Sequence, residues 1–178
     1  MFRVSVDHYV LITERGPLPD MYAHYRAHAR LAEEFDVKSP DGQACFVGVG
    51  QPLAWPDLVV AQRFSPHSAG FDPGAILVPE TATLFIGAGS RLLAYRLAPS
   101  PVRLWEDLAH FGFYTWCRHG GAVLMSAELE LAAWDLEGRK LWTTFVEPPW
   151  DYRVEAGQVI LNVMGLETRF DALRGPAR

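Results

Sequence analysis

Residues 84–97, LFIGAGSRLLAYRL, align without a gap to residues 123–136, VLMSAELELAAWDL, and this match decides how the rest of the chain is read. At an offset of 39, Ala88, Leu92, Ala94 and Leu97 fall on Ala127, Leu131, Ala133 and Leu136. A second register, at an offset of 36, sets 120–135 on 156–171, with Gly121 on Gly157, Val123 on Val159, Trp134 on Phe170 and Asp135 on Asp171. Each unit supplies an apolar strand, a small-residue turn, a second strand ending in an aromatic, and a charged turn. Periods near 40 residues with about four strands are the sequence form of β blades that stack face on face.

The surrounding sequence agrees. The chain has 178 residues, 49% of them apolar, with six Trp, 15 Gly and 13 Pro, a composition that favours many short strands and turns. Residues 3–14 alternate Val4, Val6, His8, Val10 and Ile12 on one side, as a half-buried strand does. Met21, Tyr25, Ala29, Ala32 and Phe35 recur at helical spacing without an interrupting Gly or Pro, which predicts a helix over about 19–35. The turn signal SPDG at 39–42 closes that section, and the rest reads as apolar runs punctuated by Gly, Pro and Asp. The expected fold is a single mainly β domain over 1–178. Its 1–80 part is diverged and carries the one N-terminal α-helix, and 81–175 holds the blade-like antiparallel repeats of a small or incomplete β-propeller, or alternatively a β-sandwich.

At 133–142, AWDLEGRKLW spaces Ala133, Asp135, Gly138 and Trp142 in a way that resembles the tryptophan-docking repeat of quinoprotein-like β-propellers. The resemblance covers about half of the chain, 81–175. It implies a tight Asp/Gly turn between two strands and a Trp packed flat between neighbouring blades. The preceding unit keeps Ala94 and Trp105 but has Arg96 at the Asp position and APSP in place of the Gly turn, while the following unit keeps only Asp171. A closed ring needs at least about four blades. Residues 1–80 therefore either complete the ring or leave an open stack capped by the helix. No quinone or other cofactor is implied, because the family's cofactor positions and ring size find no match here.

Charge and motifs narrow the function. The net charge of -5 gives no basic surface for nucleic acid or for an anionic membrane. Asp7, His8, Glu14 and Arg15 interrupt any signal-like N-terminus, and with two distant cysteines, Cys45 and Cys117, the expected location is cytoplasmic. Gly48-Val49-Gly50 and Gly87-Ala88-Gly89 lack the third glycine and the helix of a dinucleotide loop, so they read as sheet turns and bulges. Asp20, His24 and His28 share a helix face but lack a further metal ligand, and the expectation is that no metal is held. Cys117 and His119 face one side of a strand without an orienting partner. Glu128 and Glu130 read as a solvated strand edge.

The stretch FVEPPWDYR, 145–153, stands out, because Pro148 and Pro149 stiffen the backbone that presents Glu147, Trp150, Asp151 and Tyr152. With Trp116 and His119, these four are the candidate ligand-binding residues. The leading expectation is a non-catalytic intracellular domain that binds a protein or a small polar ligand. The alternative is a small hydrolase or lyase using Glu147 and Asp151 as an acid/base pair. A deep pocket gathering Glu147, Asp151 and His119 would favour the enzyme, and a broad exposed aromatic patch the binder.

Overall fold

The computed structural model describes residues 1–36, 42–64 and 72–177, so most of the SPDG turn lies outside the described residues. Its first sheet corrects two sequence expectations. The alternation over 3–14 is broken at Asp7-His8, where Asp7 takes a left-handed φ of 54°, and the chain folds into a hairpin of β1 (Phe2–Val6) and β2 (Tyr9–Gly16). The turn exchanges faces, so Val6 packs toward the next sheet while Val10 and Ile12 face the other way.

The helix expected over 19–35 is confined to α1 (Tyr22–His28), after which Ala29 turns extended at φ -67° and ψ 143°. Residues Leu31–Phe35 form β3 instead; β4 (Gln43–Gly50) and β5 (Leu58–Phe64) follow, and β3 lies parallel to β5 at the sheet edge. Tertiary pairing overrides the helical spacing here. As a strand, this segment lets Glu33 accept a hydrogen bond from the Tyr95 hydroxyl at 2.7 Å. It also sets the Phe35 ring beneath the guanidinium groups of Arg91 and Arg103, at 4.8 and 5.5 Å. The first sheet runs in the order β1-β2-β4-β5-β3.

Three further sheets follow in chain order. The second is β6 (Gly74–Val78), β7 (Thr83–Ala88), β8 (Arg91–Arg96) and β9 (Val102–Leu108). The third is β10 (Phe113–His119), β11 (Ala122–Ala127), β12 (Glu130–Asp135) and β13 (Lys140–Phe145). The fourth is β14 (Trp150–Glu155), β15 (Gln158–Val163) and β16 (Leu166–Asp171). The aligned repeats are therefore one antiparallel hairpin used three times: β7–β8, β11–β12 and β15–β16.

Apolar side chains join each sheet to the next. Leu11, Val47 and Val60 meet Leu84, Leu93 and Tyr95 across the first seam. Phe85 and Leu92 meet Met125 and Trp134 across the second, and Leu124 and Trp142 meet Leu161 and Phe170 across the third. The two ends of the stack are closed differently. Tyr22 and Tyr25 of α1 cover Val10, Ile12, Phe46 and Val59 on the outer face of the first sheet. The outer face of the fourth sheet carries charged side chains around a buried Ile160, and Arg153 bridges Glu155 and Glu167 at 2.9 Å each. Among the described residues no apolar cluster joins the fourth sheet to the first, and these residues form an open, propeller-like stack of four sheets.

Indole rings lock the second and third seams, as the spacing of Trp105 and Trp142 implies. Trp105 donates its indole N–H to the Gly138 carbonyl at 2.5 Å and stacks on Trp134, with ring centres 5.4 Å apart. Trp142 donates to the Ala172 carbonyl at 2.8 Å and meets Phe170 edge-on. Each acceptor sits in a turn braced by a carboxylate. Asp135 Oδ1 accepts the backbone N–H of Glu137 and Arg139 at 3.1 and 2.7 Å, and Asp171 Oδ1 accepts those of Leu173 and Arg174 at 2.9 and 3.0 Å. The first seam has Arg96 where this Asp would be, and there the β3 contacts to Tyr95, Arg91 and Arg103 take over the task.

Candidate functional site

The structure gathers three of the six candidate residues along the seam between the third and fourth sheets. Trp150 and Tyr152 project from one face of β14 with their rings 6.3 Å apart, and His119, at the end of β10, meets Tyr152 edge-on at 6.2 Å. The Trp150 indole donates to the Glu128 carbonyl at 3.0 Å. Burial, with a smaller contribution from Cys117, pushes the Tyr152 phenol up to about 12, so it stays protonated at neutral pH.

The other three stand elsewhere. Trp116 points from β10 toward the second sheet and is buried with Phe85, Phe113 and Trp134 at centroid distances of 5.3, 5.6 and 5.3 Å, a core position. Asp151 projects from the opposite face of β14 to Tyr152 and accepts a hydrogen bond from the Asn162 amide at 3.3 Å. Glu147 is exposed in the connection before β14. Asp151 thus faces away from Tyr152 and His119, and Glu147 stands in the exposed connection before the strand, so the arrangement does not favour the hydrolase reading. His119 instead lines a crevice of about 320 Å³ together with Gly120, Gly121, Gly157 and Asp171. On α1, the Nδ1 of His28 lies 2.7 Å from the His24 carbonyl oxygen, and the ring stacks on Trp55 at 4.7 Å.

Glu130 departs from its expected place on a solvated edge. It is buried, and its carboxylate accepts the Thr143 hydroxyl at 2.7 Å and the His110 backbone N–H at 3.0 Å. The bond to His110 anchors the 109–112 connection and reveals a surface that strand-by-strand reading missed. Connections at one end of the stack are tied edge to edge by backbone bonds. Glu128 N–H donates to Gly112 O at 3.1 Å, Val146 N–H to Leu129 O at 3.2 Å, and Met164 N–H to Pro149 O at 2.9 Å. On this loop face Phe111 is 68% exposed, Phe145 62% and Met164 63%. The stretches 109–112, 128–129, 145–150 and 164–165 contain Glu128 and Glu147 but no Lys or Arg. The only sequence signal for the face was the Pro-stiffened segment at 145–150; Phe111 and Met164 are single residues in short turns.

No family model matches the chain, and no curated protein matches it. Solved structures similar to it include BamB from Moraxella catarrhalis, with 11% identity, 95% of this chain and 42% of that chain covered, and a TM-score of 0.46. Saccharomyces cerevisiae Sqt1 is similar at 9% identity, covering 89% of this chain and 44% of that one, with a TM-score of 0.46. The WD40 β-propeller domain of Doa1 is similar at 12% identity, covering 74% and 51%, with a TM-score of 0.41. The chain spans about half the length, or less, of these structures, and no residue role passes from them to it. No helix among the described residues is long and apolar enough to cross a membrane.

Proposed function

We propose that this chain is a non-catalytic, intracellular protein-interaction domain that receives its partner on the loop face around Phe111, Phe145, Glu147, Trp150 and Met164. The observation that carries the reading is that exposed large apolar side chains and carboxylates without an ion-pair partner among the described residues share loops tied together by backbone hydrogen bonds. A rigid apolar surface needs little ordering on association, and that raises the affinity obtained from a given contact area. The acids add selectivity for sign, so the complement is an apolar protein segment carrying Lys or Arg. Trp150, half-buried at the rim with its N–H already satisfied, supplies an aromatic wall, while Tyr152 and His119 support it from below. The tryptophan-docking pattern has an architectural role in this reading, with no quinone.

The test is affinity capture from the native cell with three baits: wild type, a Phe145→Asp, Glu147→Lys variant, and a Leu53→Asp variant altered at a distant loop. A partner retained by wild type and Leu53→Asp, lost from the loop-face variant, and released by added salt supports the proposal. Identical captures by all three baits contradict it.

A further inference from the structure

The fourth sheet differs from its neighbours at one edge. In the third sheet, β12 is covered by β13 and is buried along most of its length, whereas the equivalent strand β16 has no strand beside it among the described residues. Leu166, at the start of β16, is 76% exposed, and Glu167, Thr168 and Arg169 are exposed with it. The β15–β16 hairpin turns through Met164 and Gly165 at φ 53° and 89°, with Val163 opposite Leu166. In a two-residue turn of this kind the closing pair exchanges both backbone bonds. The N–H and C=O groups of Leu166, Thr168 and Phe170 therefore point to β15, and those of Glu167 and Arg169 point outward.

We propose that this edge pairs with the same edge of a second copy, β16 against β16 in antiparallel register about a two-fold axis through Thr168. The sequence of the strand, Leu166-Glu167-Thr168-Arg169-Phe170, is apolar at both ends and carries opposite charges on the two sides of Thr168. Centred on Thr168, it sets Leu166 opposite the partner's Phe170 on the inner face, and Glu167 opposite the partner's Arg169 on the outer face. Thr168 meets its own copy at the axis. Aliphatic with aromatic, acid with base, and Thr with Thr are the cross-strand pairs that stabilise antiparallel sheets. The outward-pointing backbone groups of Glu167 and Arg169 fall in this register as hydrogen-bonded pairs, and Thr168 falls at the close, non-hydrogen-bonded position. Charges placed on an edge usually discourage pairing, but opposite charges two residues apart are complementary to themselves when the strand is reversed. Arg153 already holds the Glu167 carboxylate on the outer face at 2.9 Å, where the partner's Arg169 arrives. The contact is short, so association is weak and concentration-dependent.

Sedimentation across a dilution series tests the surface and an engineered cross-link tests the register. The wild-type mass is expected to move from 19.9 kDa toward twice that value as concentration rises. Glu167→Arg and Arg169→Glu, each of which sets like charges opposite one another, are expected to stay monomeric, and the combined variant to regain the dimer. Thr168→Cys is expected to give a covalent dimer under mild oxidation, because the spacing of about 4.5 Å between Cα atoms at a non-hydrogen-bonded pair fits a disulfide. Wild type, with Cys45 and Cys117 only, serves as the background. Thr168 is exposed and its replacement leaves both charges in place, so this arm stands even where a reversal disturbs folding. A monomer at every concentration, a dimer indifferent to the single reversals, or no cross-link above background overturns the proposal.

Discussion

Gln62 is a buried polar side chain in the middle of β5 whose amide oxygen and nitrogen both lack a hydrogen-bond partner among the described residues. An orphaned buried polar group costs about 1–3 kcal/mol, and an apolar side chain of similar size does not incur that cost. Gln62→Leu is therefore expected to stabilise the fold by about 1 kcal/mol, a rise of roughly 2–4 °C in the thermal midpoint. The thiols make a second residue-scale case. Burial pushes the Cys45 thiol up to about 12, while Cys117 is partly exposed. A thiol reagent at pH 8 should modify Cys117 in the native protein and reach Cys45 only on unfolding; equal rates would contradict the burial. The sign with pH follows, because Cys45 and Tyr152 both hold their protons more tightly when folded than when unfolded. Their contribution is complete at neutral pH and is lost as pH rises from the ordinary thiol and phenol range, about 8.5–10, through about 12. A denaturant midpoint flat across that window would argue against both.

The turns that receive the indoles fix the seams, and glycine matters there for two separate reasons. Gly138 has φ 88°, and a Cβ on it would come within 2.9 Å of Leu104 Cδ1. Gly138→Ala is expected to cost about 1–3 kcal/mol through backbone strain and crowding, measured by chemical denaturation. Gly120, with φ 58° and open space around it, should show only the backbone part of that cost on the same change. These turns were legible in the sequence because Asp135, Gly138 and Trp142 each have one local job, and the repeat made their spacing visible. The segment 29–35 was not legible. Its apolar residues suit a helix and its alternation suits a strand, and the choice depended on the vacant edge of β5 and on Tyr95, both distant in sequence. Trp116 was misplaced for a related reason, since strand alternation gives two faces without saying which of them a neighbouring sheet will cover. Glu130 shows the same limit, as its buried bonds to His110 and Thr143 depend on how a loop and the next strand return.

At the scale of the whole molecule, no apolar cluster among the described residues closes the four sheets into a ring, and the two outer faces show why. Ring closure requires the first and last sheets to offer each other apolar faces, but α1 already covers one and ion pairs lace the other. The described residues thus form an open stack whose loops at one end make one acidic, apolar face and whose strand β16 has no strand beside it. Cohesion then depends on the seams, and in the second and third of them on indole N–H groups bonded to the carbonyls of Gly138 and Ala172. Native-state hydrogen exchange of the six Trp indole N–H groups, followed by NMR, tests this most directly. The expected result is slow exchange at Trp105 and Trp142, released only with unfolding, against fast exchange at the exposed Trp55. Exchange at Trp105 and Trp142 as fast as at Trp55 would contradict the docked, stacked architecture.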